Sequence, residues 1–540
     1  MPRLAAGLCA PFLIIASAGV LHAQGDAVPP ASEPVAAPPT LVVLVTIDQF
    51  RADYLDRFGP QLRGGLARLI RGGARFTDAH QDHAITETAP GHATLLSGRF
   101  PRSTGITMNS VGVTDDAAPL IAGGYGPGAS PRRFVGSTLV DWLHAADPRS
   151  RAFSVSVKDR GAILPVGRSR AEVYWYSPDG RFTTSRYYRE SLPSWVEAFN
   201  DRHLPQTYAG RRWSLLLPDS AYHERDSVSA EGTGMEIVFP HALPDDAADA
   251  ASLVRATPFI DEVTVAFALH GVRALGLGAG PQTDLLAVSL SASDFVGHRF
   301  GPDSREMHDQ VLRVDRTVGV LLDSLYRMRD SSRVVVVLTS DHGVGSIPEY
   351  SAAFTNSAAR RVELHSLMPV VRARLRAAGV DTSAVAIEQE FVVVNRGAFR
   401  SASSADSLVE WLAAAVRRVP GVRRVDRFAA LVADSLRDPV ARRWSHQLPA
   451  SAPVELIVTL DSLNTWGGNV ASHGSSYGYD SHVPLIFAGA GIRAGRYTEF
   501  VRTVDIAPTL AELAGITPGE RLDGLILRPA LRSPRASASP

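Results

Sequence analysis

The sequence predicts an α/β fold: a large, mostly parallel central sheet flanked by helices, with insertions decorating that core. Continuous apolar runs carry the expectation, at residues 41–47, 153–157, 285–290, 334–338 and 483–487. A strand covered by helices on both faces needs apolar side chains at every position, so such runs mark a parallel sheet. Helical periodicity fills the intervals at 61–71, 307–328 and 505–513, and strands alternating with helices wind parallel sheets. An aspartate also stands just beyond three of the runs, at Asp48, Asp294 and Asp341. That is where open parallel sheets bind ligands.

Taken in chain order, residues 1–23 read as a signal peptide. Arg3 supplies the basic start, residues 4–21 are nearly all apolar or small, and Leu21-His22-Ala23 offers a cleavage site. The stretch is also close to the shortest membrane span, about 17 residues. The abrupt change to Gln24-Gly25-Asp26 and a Pro/Ala-rich run favours cleavage. A periplasmic or secreted protein follows, with no stable membrane association once the leader is gone. Cys9, the one cysteine, lies within the leader, which excludes disulfides, thiolate metal sites and cysteine nucleophiles. Residues 24–40 have no periodicity and read as a flexible linker.

Residues 41–531 are expected to form one catalytic domain. Two stretches, at about 178–255 and 348–455, fit the alternation poorly. The first is rich in Tyr, Arg, Trp and Pro; the second has its own helices and β-like runs at 391–395 and 454–460. Both read as insertions that wall the site, and the polar tail at 532–540 reads as frayed. Of the 540 residues, 45% are hydrophobic and 20% charged, an ordinary globular composition. The 55 basic and 55 acidic residues cancel, so nothing suggests nucleic acid as a partner. Positive charge for an anionic substrate must be local. Lys158 is the only lysine among the 55 basic residues. A surviving ammonium can mark a place that a guanidinium cannot fill, with chance survival as the alternative.

The residues that carry chemistry gather near strand ends. Asp294 and His298 are spaced i,i+4, which puts them on one side of a helical turn. His342 follows Asp341, and a second His-Gly pair, His473-Gly474, precedes the run at 483. Three carboxylates and three imidazoles make two mixed N/O sites that suit zinc. Each residue alone has an ordinary reading as a cap, turn or core residue; their arrival at separate strand ends argues for a site. Thr88, two residues before Pro90-Gly91, suits a hydroxyl presented at a helix start with free N–H groups for phosphate oxygens. It suits a plain N-cap equally well. Strand alternation carried through residues 154–160 puts Lys158 and Arg160 on one face and Asp159 on the other.

Asp48, the segment Thr88-Ala-Pro-Gly-His92, Gly105-Ile-Thr-Met-Asn109, Asp294 with His298, Asp341-His342-Gly343 and His473-Gly474 together resemble the alkaline phosphatase superfamily. Lys158-Asp159-Arg160 and the later Gly180-Arg-Phe-Thr-Thr-Ser185 resemble one branch, the phosphate-irrepressible bacterial alkaline phosphatases with a threonine nucleophile. The resemblance runs from about residue 40 to about residue 524. It implies two zinc ions, one on Asp294, His298 and His473, the other on Asp48, Asp341, His342 and the Thr88 oxygen. It also implies Thr88 as nucleophile, a covalent phosphothreonine, and Asn109, Lys158 and Arg160 on the non-bridging phosphate oxygens. Formal charges agree with monoesters as substrates. Two divalent ions, three aspartates and a threonine alkoxide sum to zero, leaving Lys158 and Arg160 to match a monoester dianion.

The expected function is therefore an exported, monomeric alkaline phosphatase acting on small-molecule phosphate monoesters. A phosphodiesterase or nucleotide pyrophosphatase of the same superfamily is the enzyme alternative; it would share the ligands and Thr88 but not be expected to have the Lys158/Arg160 pair. A non-catalytic metal- or phosphate-binding protein is the other. His482, nine residues after His473, also reads as a candidate for the site's surroundings. His83 and His92 read as packing or hydrogen-bonding residues.

Overall fold

Strand β1 (Leu41–Ile47) has every side chain buried. Leu41, Val43, Val45 and Ile47 pack into one hydrophobic core, Val42 and Leu44 into a second, because successive side chains of a strand point to opposite faces. The sheet around it holds eight further strands: β2 (Ala74–His80), β3 (Ala152–Ser156), β4 (Glu172–Ser177), β5 (Arg181–Thr183), β6 (Asp284–Leu290), β7 (Val334–Thr339), β8 (Leu485–Gly489) and β9 (Gly495–Arg502). Their spatial order is β9-β2-β8-β7-β1-β6-β3-β4-β5. The block β7-β1-β6-β3-β4 is parallel throughout, while β8 and β5 pair antiparallel with their neighbours. This is the mostly parallel sheet that the apolar runs predict.

One face is covered by helices Gly65–Gly72, Phe259–Leu275 and Arg305–Met328, the other by Thr88–Leu95, Leu139–Ala146 and Ile506–Ala514. The helix expected over 61–71 starts late, at Gly65. Its start is set by Asp315, whose carboxylate accepts the backbone N–H groups of Arg63, Gly64 and Ala67, the job of an N-cap done from a neighbouring helix. The second insertion carries its own four-stranded antiparallel sheet, ordered Val385–Ile387, Phe391–Val394, Val454–Leu460, Val422–Arg427. A separate core lies against it, built from residues such as Val392, Leu412 and Leu456.

This computed structural model describes residues 37–121, 124–232, 237–355 and 358–532. The leader at 1–23, most of the 24–40 linker and all but the first residue of the 532–540 tail lie outside them. Among the described residues no helix is long and apolar enough to cross a membrane.

Candidate active site

The adjacent strands β7, β1, β6 and β3 all end on the same side of the sheet, and each delivers functional side chains there. Asp48 follows β1, with its N–H donating to Leu290 O of β6 at 2.9 Å. Beyond β6, helix Ala292–Phe300 carries Asp294 and His298 one turn apart. Asp341 and His342 follow β7, and Lys158 follows β3. His473 comes from the loop before the short helix Gly478–Ser481. The structure draws these residues into two groups: Asp294, His298 and His473, and the buried Asp48, Asp341 and His342.

In the first group His298 Nε2 lies 3.4 Å from Asp294 Oδ1, His473 Nε2 lies 3.8 Å from the same oxygen, and the two ring nitrogens face each other at 3.2 Å. The other nitrogen of each ring points at a backbone carbonyl: His298 Nδ1 at Ala471 O and His473 Nδ1 at Thr86 O, both at 2.8 Å. Carbonyls only accept, so each Nδ1 carries the proton and each Nε2 turns toward the centre. Two ring nitrogens turned so closely around a carboxylate form a donor set that a cation could occupy. Burial opposes charge on both rings; Asp294 nonetheless raises His298, while His342 and His298 help to push His473 well below the ordinary range.

The second group repeats the pattern. His342 Nδ1 donates to Gly343 O at 2.9 Å, turning Nε2 toward Asp48 Oδ1 and Asp341 Oδ2, each at 3.6 Å, and Thr88 Oγ1 at 3.4 Å. Asp341 Oδ1 is occupied by the N–H groups of Gln49 and His342 at 3.1 and 3.0 Å, which leaves Oδ2 for the centre. Asp48 Oδ1 is buried and accepts no hydrogen bond among the described residues. Burial and the nearby Asp341 push the Asp48 carboxyl well above its usual range, so its ionised form calls for more positive charge than the neighbouring side chains supply. Donor spacings of 3.2–3.8 Å are close to the edge of a tetrahedron with metal bonds of about 2.0–2.2 Å. Both donor sets fit divalent cations.

Thr88 begins helix Thr88–Leu95, with Glu87 in the cap position, so Thr88 is not the N-cap. Its hydroxyl lies 3.4 Å from both His342 Nε2 and Lys158 Nζ. The helix start is a poorer anion cradle than expected, because Pro90 has no N–H and Ala89 N donates to Asn109 Oδ1 at 2.9 Å. That bond orients Asn109: with its carbonyl end taken, the amide nitrogen is the end left to donate. Gly91 lets the helix approach the end of β7, since a Cβ there would sit 2.3 Å from Asp341 O.

The strand alternation drawn through residue 160 stops earlier. β3 ends at Ser156 and helix Asp159–Ile163 follows, so Lys158 and Arg160 share a site without sharing a strand face. Lys158 is buried, with Nζ 2.7 Å from Asp48 Oδ2 and 2.6 Å from Asp294 Oδ2. Burial opposes the ammonium, but Asp294 and Asp48 raise its pKa, while burial's penalty on Asp294 is outweighed by Lys158 and His298, which hold that carboxyl well below its usual range. Arg160 is 31% exposed along its side chain. It lines a cleft of about 390 Å³ with Lys158, Tyr125, Trp175, Arg255 and Phe295.

His92 is the hydrogen-bonding residue expected: Nδ1 lies 2.9 Å from Thr88 O and 3.1 Å from Asp341 Oδ2, and Nε2 lies 3.0 Å from Ser289 Oγ. One residue has a role that the sequence did not reveal: Gln49, whose only signal is its place after a strand-end aspartate. His482 stays outside both groups. It gathers with Asp78 and His80, but its ring stacks on His80 at 4.9 Å and 17°, so the two nitrogen lone pairs cannot aim at one ion. His482 Nε2 donates to Thr77 O at 2.9 Å and His80 Nε2 pairs with Asp78 at 2.9 Å. That cluster ties β2 to the loop before β8.

A parallel sheet whose strand ends bring together two Asp/His groups that could hold metal ions, beside a helix-borne threonine, is the architecture of the alkaline phosphatase type of hydrolase, and the relatives agree. The chain belongs to the type I phosphodiesterase / nucleotide pyrophosphatase family, matched over residues 42–432. It is similar to alkaline phosphatase PafA of Elizabethkingia meningoseptica, 29% identical over 503 residues that cover 88% of this chain and 92% of that protein. Alkaline phosphatase PhoK of a Sphingomonas species is 30% identical over 524 residues, covering 91% of each. The PafA crystal structure superposes with a TM-score of 0.83 at 27% identity, covering 93% of this chain and all of that one. Murine ectonucleotide pyrophosphatase / phosphodiesterase 5 shares the fold, at a TM-score of 0.53 and 16% identity over 91% of this chain and all of that one.

Proposed function

We propose that this protein is an exported alkaline phosphatase that hydrolyses phosphate monoesters through a covalent phosphothreonine at Thr88. The observation that carries the reading is Lys158: its ammonium stands between the two ligand groups, 3.4 Å from the Thr88 hydroxyl. A buried cation beside the nucleophile suits a dianionic phosphoryl group. Asp294, His298 and His473 would hold one zinc, and Asp48, Asp341, His342 and the Thr88 oxygen the other. Bound there, the metals supply Lewis acidity and charge for the entering and leaving oxygens.

The chain's own residues supply the rest. Thr88 Oγ gives up its proton and forms the bond to phosphorus as the bond to the departing oxygen breaks, and that oxygen takes up a proton and leaves as the alcohol. Water then attacks the phosphorus, the P–Oγ bond breaks, and inorganic phosphate departs with the Thr88 hydroxyl restored. Asn109 offers its amide nitrogen, and Lys158 and Arg160 their cations, to the non-bridging oxygens. A PafA variant has been solved with a threonine, an asparagine, a lysine and an arginine substituted. Thr88, Asn109, Lys158 and Arg160 have the same spacing within each pair, which supports giving them these roles.

The test compares hydrolysis of a monoester and a diester of the same phenol by the zinc-loaded protein. Faster monoester turnover is expected, with a phosphothreonine trapped at Thr88 and lost in Thr88→Ala. Preference for the diester would favour the phosphodiesterase reading instead.

A further inference from the structure

Gln49 is fully buried immediately after Asp48. Its φ is +60°, the left-handed region in which a non-glycine residue is strained and persists only where its surroundings enforce it. Two hydrogen bonds supply that enforcement. The backbone N–H donates to Asp341 Oδ1 at 3.1 Å, and the side-chain Nε2 donates to Asp294 Oδ1 at 3.0 Å. The first acceptor belongs to one ligand group and the second to the other. Since a carboxylate can only accept, the amide's orientation is set: Nε2 faces Asp294. The opposite end, Oε1, is buried without a hydrogen-bond partner among the described residues, so what the amide contributes is its N–H. Gly297 makes the room, because a Cβ at that position would fall 1.8 Å from Gln49 Oε1. The glycine inside Asp294-Phe-Val-Gly-His298 thereby has a reason of its own.

We propose that Gln49 is a positioning residue that couples the two ligand groups. Its strained backbone turns Asp341 so that Oδ2 faces His342, and its side chain steadies Asp294 Oδ1, the oxygen that faces His298 and His473. One residue thus registers both carboxylates against Asp48. The inference rests on the two-ion reading of the proposed function.

Zinc titration of the metal-stripped full chain against a chromophoric chelator tests it. Wild type should take up two zinc ions. Gln49→Gly removes the amide and suits the left-handed backbone, which offsets part of what the emptied buried space costs the fold. Its zinc step at Asp294, His298 and His473 should weaken by about 10–100-fold, the usual loss when a partner of a metal ligand is removed. Gln49→Glu keeps the length but turns an oxygen toward Asp294, and should weaken the same step. Wild type that takes up fewer than two ions overturns the two-ion reading and this role with it. Two ions on wild type and unchanged zinc steps in both variants overturn the role of Gln49 alone, as would a weakened step in Gln49→Gly that Gln49→Glu, which leaves no cavity, does not share.

Discussion

Lys158 Nζ touches one carboxylate from each ligand group, at 2.7 and 2.6 Å. A compact ammonium can donate to two oxygens and still lie 3.4 Å from Thr88 Oγ1; the wider, planar guanidinium cannot take that position without displacing one of them. Lys158→Arg should therefore behave like a loss, lowering kcat/KM for a monoester by about 10²-fold, the scale of removing one preorganised donor. Arg160→Ala should cost less and leave zinc content unchanged, because Arg160 is 31% exposed along its side chain and makes no contact with a ligand carboxylate. Steady-state kinetics with metal analysis checks both, and full activity in Lys158→Arg would refute the fit argument. Composition exposed Lys158, and strand ends exposed the three aspartates. The role of Gln49 was hidden because it depends on which end of its side chain meets which oxygen, a fact that only packing decides.

At the scale of elements, the central strands were legible because burial on both faces leaves continuous apolar runs. β2, β4, β5 and β9 were not, because they flank the centre and carry polar residues: β2 reads Ala-Arg-Phe-Thr-Asp-Ala-His, with only part of it buried. The alternation read through 154–160 failed where β3 gave way to a helix, at a turn that the apolar run could not signal. One contact between elements yields a sharp expectation. Helix Thr88–Leu95 lies so close to the end of β7 that a Cβ on Gly91 would meet Asp341 O at 2.3 Å, and Asp341 Cβ at 2.8 Å. Gly91→Ala must push the helix back by about 1 Å, and if Thr88 is the nucleophile proposed, a displacement of that size should cost about 10²-fold in rate. The overpacking itself costs about 1–3 kcal/mol. A folded, zinc-replete Gly91→Ala protein with kcat/KM depressed by that factor is expected; undiminished kcat/KM would show that the helix does not set the position of Thr88.

The molecule as a whole carries no net formal charge, yet several carboxyls are buried deeply enough that burial outweighs whatever positive charge lies near them, and this sets how stability responds to pH. Burial is the largest cause that pushes Asp261 and Asp480 up to about 7 and Glu231 up to about 9. Burial also opposes Asp82, but His446 and Arg442 hold it at about 2, so its contribution is complete above roughly pH 4 and the raised set governs the range above. Asp261 is the cleanest case, 1% exposed and joining three helices through Ala292 N at 3.1 Å and Gln310 Nε2 at 3.0 Å. Its ordinary value is 3.8 and its folded value about 7. Between those values the unfolded chain has released the proton and the folded chain retains it. Rising pH therefore favours unfolding across that window and has no further effect from this group above it. At 1.36 kcal/mol per pKa unit the loss is on the order of 4 kcal/mol. Asp261→Asn removes the titration. The new amide can donate to Gln310 Oε1, which has no partner among the described residues, once the Gln310 amide rotates. Melting temperatures of wild type and Asp261→Asn should therefore converge near pH 4 and separate by pH 8, with the variant the more stable. A constant gap across that range would show that Asp261 is ionised in the folded protein.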